Sequence, residues 1–325
     1  LAVIVDENTA RVVLPEIRSS HLAEAQIITI GVGDSCKNLD TLTHVWNSLE
    51  QGGATRKSLV VNLGGGVVTD LGGFAAATFK RGISFVNIPT TLLSAVDAAV
   101  GGKTGINFGG LKNEIGCFQE ASDVIISTRF LATLPITELK SGYAEMLKHG
   151  MLSSHDEFIK LTSYDFQNAD AEHLLQLLKT SVLVKERIVK EDPHEQGIRR
   201  ALNLGHTVGH AFESKALHDG KPIAHGYAVA WGMVAEMVLS HQILKFPTED
   251  LHRLADFVYA NYGAYHITCD HYDELLHLMH HDKKSEHGEI NCTLLAACGD
   301  VRPGHTITDD QMRIALDLYR DLLHI

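Results

Sequence analysis

Val60-Val61-Asn62-Leu63-Gly64-Gly65-Gly66-Val67-Val68-Thr69-Asp70 decides the fold class, because a buried strand runs here through three glycines straight into a helical pattern. Glycines at such a junction let backbone N–H groups and a helix N-terminus come close to a phosphate, whose charge the helix dipole favours. The spacing is not the GxGxxG fingerprint, and a turn that needs glycine only for tight packing reads the same way. Working outward, residues 2–5, 27–30, 59–63, 83–88 and 124–126 are short β-branched runs, the mark of strands covered on both faces. Segments 38–51 and 67–79 between them are long enough for crossover helices. This βαβ alternation predicts an α/β fold with a parallel sheet and helices on both faces.

After about residue 128 the texture changes: 139–152, 171–190, 199–217, 227–244 and 248–262 all carry helical periodicity. An all-helical C-terminal domain is therefore expected at 128–325, following a sheet domain at 1–127. Pro193 and Gly197 interrupt two of the helices, and 290–296 reads as a short extended piece.

A chain of 325 residues, 45% of them hydrophobic, has enough apolar content for a sizeable core. No run approaches the roughly 18 apolar residues that cross a bilayer, and residues 1–5 are too short an apolar block for a secretory signal, so a cytoplasmic location is expected. Five scattered cysteines without a CxxC pair suggest neither a disulfide framework nor a thiolate zinc site. A net charge of −12 argues against nucleic acid or an anionic membrane as partner. Basic residues nevertheless gather beside glycines and polar signatures: Lys80, Arg81, Lys103, Lys112, Lys148, Lys185, Arg199 and Lys283. On an acidic protein, such residues converging on one pocket would bind a small anion.

Three further segments carry chemistry. Gly197 to His210 places Arg199, Asn203, His206 and His210 at helical steps of four, three and four, so one continuous helix would stack them on one face. Among 20 histidines, such spacing also arises by chance. Glu145 and Lys148 share a helix face at i,i+3, which alone is an ordinary ion pair. Taken with His206 and His225, Glu145 completes a His2Glu set, a catalytic zinc pattern; His210 fits as a third ligand equally well. In the third segment Thr90, Thr91, Asp97, Lys103, Lys112 and Asn113 suit ribose, amide and phosphate contacts, while Val96 and Asp97 rule out a Walker A loop.

These residues fall into five motifs: Gly64-Gly65-Gly66-Val67-Val68-Thr69-Asp70-Leu71; Pro89-Thr90-Thr91-Leu92-Leu93; Val96-Asp97 through Gly101-Gly102-Lys103-Thr104-Gly105-Ile106-Asn107; Ala144-Glu145-Met146-Leu147-Lys148; and Leu202-Asn203-Leu204-Gly205-His206-Thr207-Val208-Gly209-His210. In that order, from Ala2 to about Ala297, the chain resembles the 3-dehydroquinate synthases of the sugar phosphate cyclase superfamily. The resemblance implies a Rossmann-like N-terminal domain that binds NAD, a helical metal-binding domain, a cleft between them and a homodimer. It implies Glu145, His206 and His225 as ligands of zinc or cobalt. NAD contacts are implied at Asp6, Asp34, Lys37, Gly65, Gly66, Val67, Asp70, Thr90, Thr91, Phe130, Thr133, Leu134 and Glu138, with Asp97, Lys103 and Lys112. Substrate contacts are implied at Asp97, Lys103, Asn113, Lys148, Lys185, Arg199, Asn203, His210 and Lys283, with Arg81 on a phosphate.

The implied reaction is the conversion of 3-deoxy-D-arabino-heptulosonate 7-phosphate to 3-dehydroquinate and phosphate, a carbon–oxygen lyase step with NAD recycled. Asp34 stands where the family usually has glutamate, Tyr227 follows His225-Gly226 where glutamate is common, and the start reads as trimmed by a strand pair. Three other readings compete. One is a cyclase making 2-deoxy-scyllo-inosose or 2-epi-5-epi-valiolone, which the set Lys185, Arg199, Leu202, Asn203 and His210 disfavours. Another is a metal-dependent polyol dehydrogenase, opposed by the lysine set, and the last is an inactive metal- and nucleotide-binding protein, opposed by the intact Glu145, Lys148, His206 and His225.

Overall fold

A computed structural model describes residues 1–17, 22, 24–168, 170–281 and 288–325, so Lys283 lies outside the described residues. The chain divides into two units, Leu1–Gly142 and Tyr143–Ile325.

In the first unit, β1 (Ala2–Asp6) leads through α1 (Glu7–Val12) and α2 (Leu14–Ile17) to β2 (Gln26–Ile30), and α3 (Leu39–Gln51) leads to β3 (Leu59–Gly64). Helix α4 (Gly66–Thr78), β4 (Ser84–Pro89), the strands β5 (Lys103–Phe108) and β6 (Leu111–Phe118), and the short β7 (Asp123–Val124) follow. The sheet is parallel, in the order β2-β1-β3-β4-β7. Alternate strand residues feed two separate cores, as a period of two requires. Ala2, Ile4 and Val60 pack with Leu42, Val45 and Leu49 of α3 and Val68 and Leu71 of α4, whereas Val3, Val5, Val61 and Leu63 pack with Val13 and Leu14. Phe130 lies against the second core, and Gly142 abuts the backbone of Leu92 and Leu93 so closely that a Cβ would sit 2.4 Å from Leu93 N. Residues 128–142 thereby go with the sheet unit.

The strands lie where the apolar runs stand, and the crossover helices follow them closely. The β5–β6 hairpin is a finding beyond that pattern. Its second strand runs Leu-Lys-Asn-Glu-Ile-Gly-Cys-Phe, almost wholly exposed and without alternation, so no periodicity announces it.

Helix α5 (Ile136–Ser153) runs into the second unit, which then contains α6 (His155–Thr162), α7 (Ala171–Glu191), α8 (His206–His218), α9 (His225–Leu244), α10 (Thr248–Tyr262), α11 (Tyr272–His280) and α12 (Asp309–Leu322). The extended piece expected at 290–296 is β8 (Ile290–Ala297), paired antiparallel with β9 (Asp300–Ile307). The helical domain thus carries one two-stranded ribbon. At its centre lies α9, apolar all round and buried along nearly its whole length from Gly226 to Ser240.

One expectation needs correcting: residues 199–217 are not a continuous helix. A 3-10 stretch, Ile198–Asn203, ends at Leu204, whose backbone is extended, and Gly205 then adopts φ 78° before α8 begins. The cause is tertiary. Around Gly205 the backbones of α8 and α9 approach closely, and a Cβ on Gly232 would lie 2.1 Å from Gly205 O. The left-handed turn that allows this approach suits glycine. Arg199 and Asn203 consequently belong to a different element from His206 and His210.

Candidate functional site

Three segments of the second unit converge on one point. Glu145 comes from α5, His206 from the start of α8 and His225 from the start of α9, and one ligand atom of each lies within 4.8 Å of the others. Among the described residues this is the one group of three or more His, Cys, Asp or Glu side chains so arranged. His206 Nε2 stands 3.5 Å and His225 Nε2 3.6 Å from Glu145 Oε1. These separations are too long for good hydrogen bonds, and the buried Glu145 Oε1 has no hydrogen-bond partner among the described residues. An orphaned oxygen of this kind costs about 1–3 kcal/mol or more, a cost that a cation between the three ligands removes. Tetrahedral zinc with ligands ~2 Å away spaces neighbouring ligand atoms about 3.3 Å apart, close to the two separations from Glu145 Oε1, so this donor set fits such an ion.

The ring orientations agree with this. His206 donates Nδ1–H to the Leu204 carbonyl at 3.0 Å, and His225 donates Nδ1–H to Glu213 Oε2 at 3.1 Å. Each outer partner holds the tautomer whose Nε2 faces inward. The buried Lys148 ammonium donates to the other oxygen of Glu145. Burial works against the Glu145 carboxylate, but Lys148 and then His225 outweigh it and hold its pKa well below the usual carboxylate range. For His225 burial opposes the charged ring, yet Glu145 and Glu213 push its pKa up to about 9. A proton and a divalent cation therefore compete for the same nitrogen.

Other expected residues of this unit stand as follows. The His210 ring centre lies 5.3 Å from that of His206 and 5.9 Å from that of His225. Lys185 is buried on α7. Arg199 is buried as well, donating Nη1–H to the Pro193 carbonyl at 2.6 Å, while Asn203 donates Nδ2–H to Glu195 Oε1 at 3.3 Å.

Two carboxylates escaped the sequence reading. Glu213 holds His225, and the signal for it was its place one turn beyond His210 on the same helix. Glu236 is fully buried in α9 and accepts backbone N–H bonds from Gly205 at 2.7 Å, Thr207 at 3.0 Å and Val208 at 3.2 Å. Its signal was being the sole Asp, Glu, Lys or Arg between Gly226 and Leu244.

In the first unit, Asp6 ends β1, Gly64 ends β3 and Thr90 and Thr91 follow β4, all at the carboxyl edge of the sheet. The strand order reverses between β1 and β3, which is where open parallel sheets form a ligand crevice. A Cβ on Gly64 would lie 2.4 Å from Val68 Cγ2, and one on Gly65 3.1 Å from Thr91 Cγ2, so the turn is packed for bare backbone. That suits a pyrophosphate on the first N–H groups of α4. Asp6 caps α1, accepting from Thr9 N at 2.8 Å. Buried Lys37 donates to Asp70 and to Asn113, tying α4 to the hairpin. Asp34 accepts from Asn107 Nδ2 at 3.1 Å and lies 3.9 Å from Lys112 Nζ. Val67 lies in the first turn of α4. Asp97 sits half-buried in the turn Ser94–Ala98, and Lys103 is exposed at the start of β5. Thr133 and Glu138 are exposed, Leu134 is half-buried, and Arg81 is exposed with φ 69°.

The 3-dehydroquinate synthase N-terminal pattern matches residues 27–141, and the 3-dehydroquinate synthase C-terminal pattern matches residues 142–285. A 3-dehydroquinate synthase of Parabacteroides distasonis is 48% identical over 322 residues, covering 99% of this chain and 91% of its own. Among solved structures, 2-epi-5-epi-valiolone synthase from Streptomyces hygroscopicus subsp. jinggangensis, with NAD+ and Zn2+ bound, superposes with a TM-score of 0.85 at 26% identity, covering 98% of this chain and 90% of that one. A 2-deoxy-scyllo-inosose synthase complexed with carbaglucose-6-phosphate, NAD+ and Co2+ gives the same TM-score and coverage at 23% identity, which speaks for the fold alone.

Proposed function

We infer the function from one premise: the chain belongs to the 3-dehydroquinate synthase family. It converts 3-deoxy-D-arabino-heptulosonate 7-phosphate to 3-dehydroquinate and phosphate, a phosphate-eliminating lyase step of the shikimate route to aromatic amino acids. Near-full-length identity to a curated synthase favours this substrate over those of the inosose and valiolone cyclases.

The observation that carries the chemistry is the orphaned Glu145 Oε1 facing two inward Nε2 atoms. We assign Glu145, His206 and His225 as the ligands of a zinc or cobalt ion, and the Gly64–Gly66 turn, with Asp6, Asp70, Thr90 and Thr91, to NAD. When bound, NAD would supply a reversible hydride acceptor, and the cation would supply a Lewis acid that favours a deprotonated hydroxyl.

The chain's own residues do the rest. Lys148 neutralises one oxygen of Glu145 and leaves the other aimed inward. Glu213 and the Leu204 carbonyl hold the imidazoles in register. A substrate bearing both carboxylate and phosphate needs local cations on a chain of net charge −12. Lys185 and Arg199, each no more than 5% exposed, supply them in the second unit, and we assign Arg81 to the phosphate. Exposed Phe108, Leu111, Ile115 and Phe118 on the hairpin support a homodimer. No helix among the described residues is long and apolar enough to cross a membrane; it is the biosynthetic reaction that leads us to place the protein in the cytoplasm.

Phosphate release from the heptulosonate phosphate tests this reading. Turnover should need only catalytic NAD, stop with a chelator and return with zinc or cobalt. One NADH accumulating per turnover would instead identify a dehydrogenase.

A further inference from the structure

We propose that Glu236 is the positioning residue of the metal centre, its buried carboxylate fixing the point from which His206 reaches the ion. The proposal rests on the assignment of Glu145, His206 and His225 as ligands. A helix start leaves N–H groups unsatisfied, and a side chain at its N-cap ordinarily accepts them. Gly205 occupies that position in α8 and has no side chain to do so. Glu236 does it from another helix, taking Gly205 N–H on one oxygen and Thr207 and Val208 N–H on the other. The three bonds bracket residue 206 on both sides.

What they hold is the backbone turn that also presents the Leu204 carbonyl to His206 Nδ1. The carboxylate therefore governs both the origin of the His206 side chain and the partner that sets its tautomer. A carboxylate buried in an otherwise apolar helix is costly unless paired, and capping charge-assisted donors offsets that cost. Helix α9 also begins with His225. One rigid element thus carries one ligand directly and places another through Glu236, with the two imidazole ring centres 5.4 Å apart.

Glu236→Gln keeps the shape but replaces one acceptor oxygen by an amide that cannot accept. Cobalt(II) affinity by chelator competition and the visible spectrum of the cobalt-loaded chain are the readouts, with NAD affinity as the control. Glu236→Gln should bind cobalt about 10- to 100-fold more weakly, with a shifted visible band and unchanged NAD affinity, and Glu236→Asp should recover part of the loss. Val234→Ala, a buried neighbour on the same helix, reports what destabilisation alone does and should leave the band in place. If Glu236→Gln does not fold, Glu236→Asp against Val234→Ala makes the same comparison. The proposal falls if the Glu236 variants keep wild-type affinity and spectrum, or lose no more affinity than Val234→Ala. Wild-type chain that holds no cobalt would bring down the ligand assignment itself.

Discussion

The glycine turn after β3 and the Glu145–His206–His225 cluster are built on opposite plans. The turn is local: strand, glycines and helix are consecutive, and what it offers is backbone shaped by close packing, as Gly64 against Val68 shows. The cluster is assembled from three remote segments, and what it offers is side-chain charge held by second carboxylates. The difference teaches that the first site responds to volume and the second to charge and protons.

The largest effect tests the second plan. His225→Ala removes a proposed ligand and should lower phosphate release on the order of 10³-fold or more, since a Lewis acid contributes several kcal/mol to such a step. NAD affinity, measured by fluorescence titration, should hold. Parallel loss of NAD binding would break the comparison.

Protons come next. With its pKa pushed up from 6.5 to about 9, protonated His225 stabilises the metal-free chain fully below about pH 6.5, and that contribution is lost as pH rises through about 9. The ion needs the neutral ring, so zinc affinity should rise about tenfold per pH unit up to that point. Melting curves with and without zinc should therefore diverge as pH increases from 6.5 to 9. A zinc affinity flat across that range would remove the proton from the account.

A smaller effect sharpens the first plan. Gly64→Ala puts a Cβ 2.4 Å from Val68, and overpacking of about 1–3 kcal/mol should weaken NAD roughly 10- to 100-fold while zinc content stays at the wild-type level. Unchanged NAD affinity would mean the glycine serves strand–helix packing alone.

The two plans also explain what was legible in the sequence. Strands β1 to β4 and helices α3 and α4 stand where local apolar runs predict them, because each is specified by its own residues. Glu145, His206 and His225 were recognisable as donor types at suggestive positions, but their meeting depends on contacts no local pattern encodes. The continuous helix at 199–217 failed for the same reason: the break at Gly205 is imposed by Gly232 and Glu236 on another helix. Glu213, invisible as a partner until α8 and α9 are packed together, makes the point again.

Glu145 and His206 lie 61 positions apart in the chain. An ion gripping both acts as a reversible cross-link, closing a loop that the unfolded polypeptide would otherwise leave open, and by the entropy rule for such loops that tether contributes about 4 kcal/mol. The same atom that serves chemistry would in this way also be a structural staple of the helical unit, and metal supply would set how long the protein survives heat.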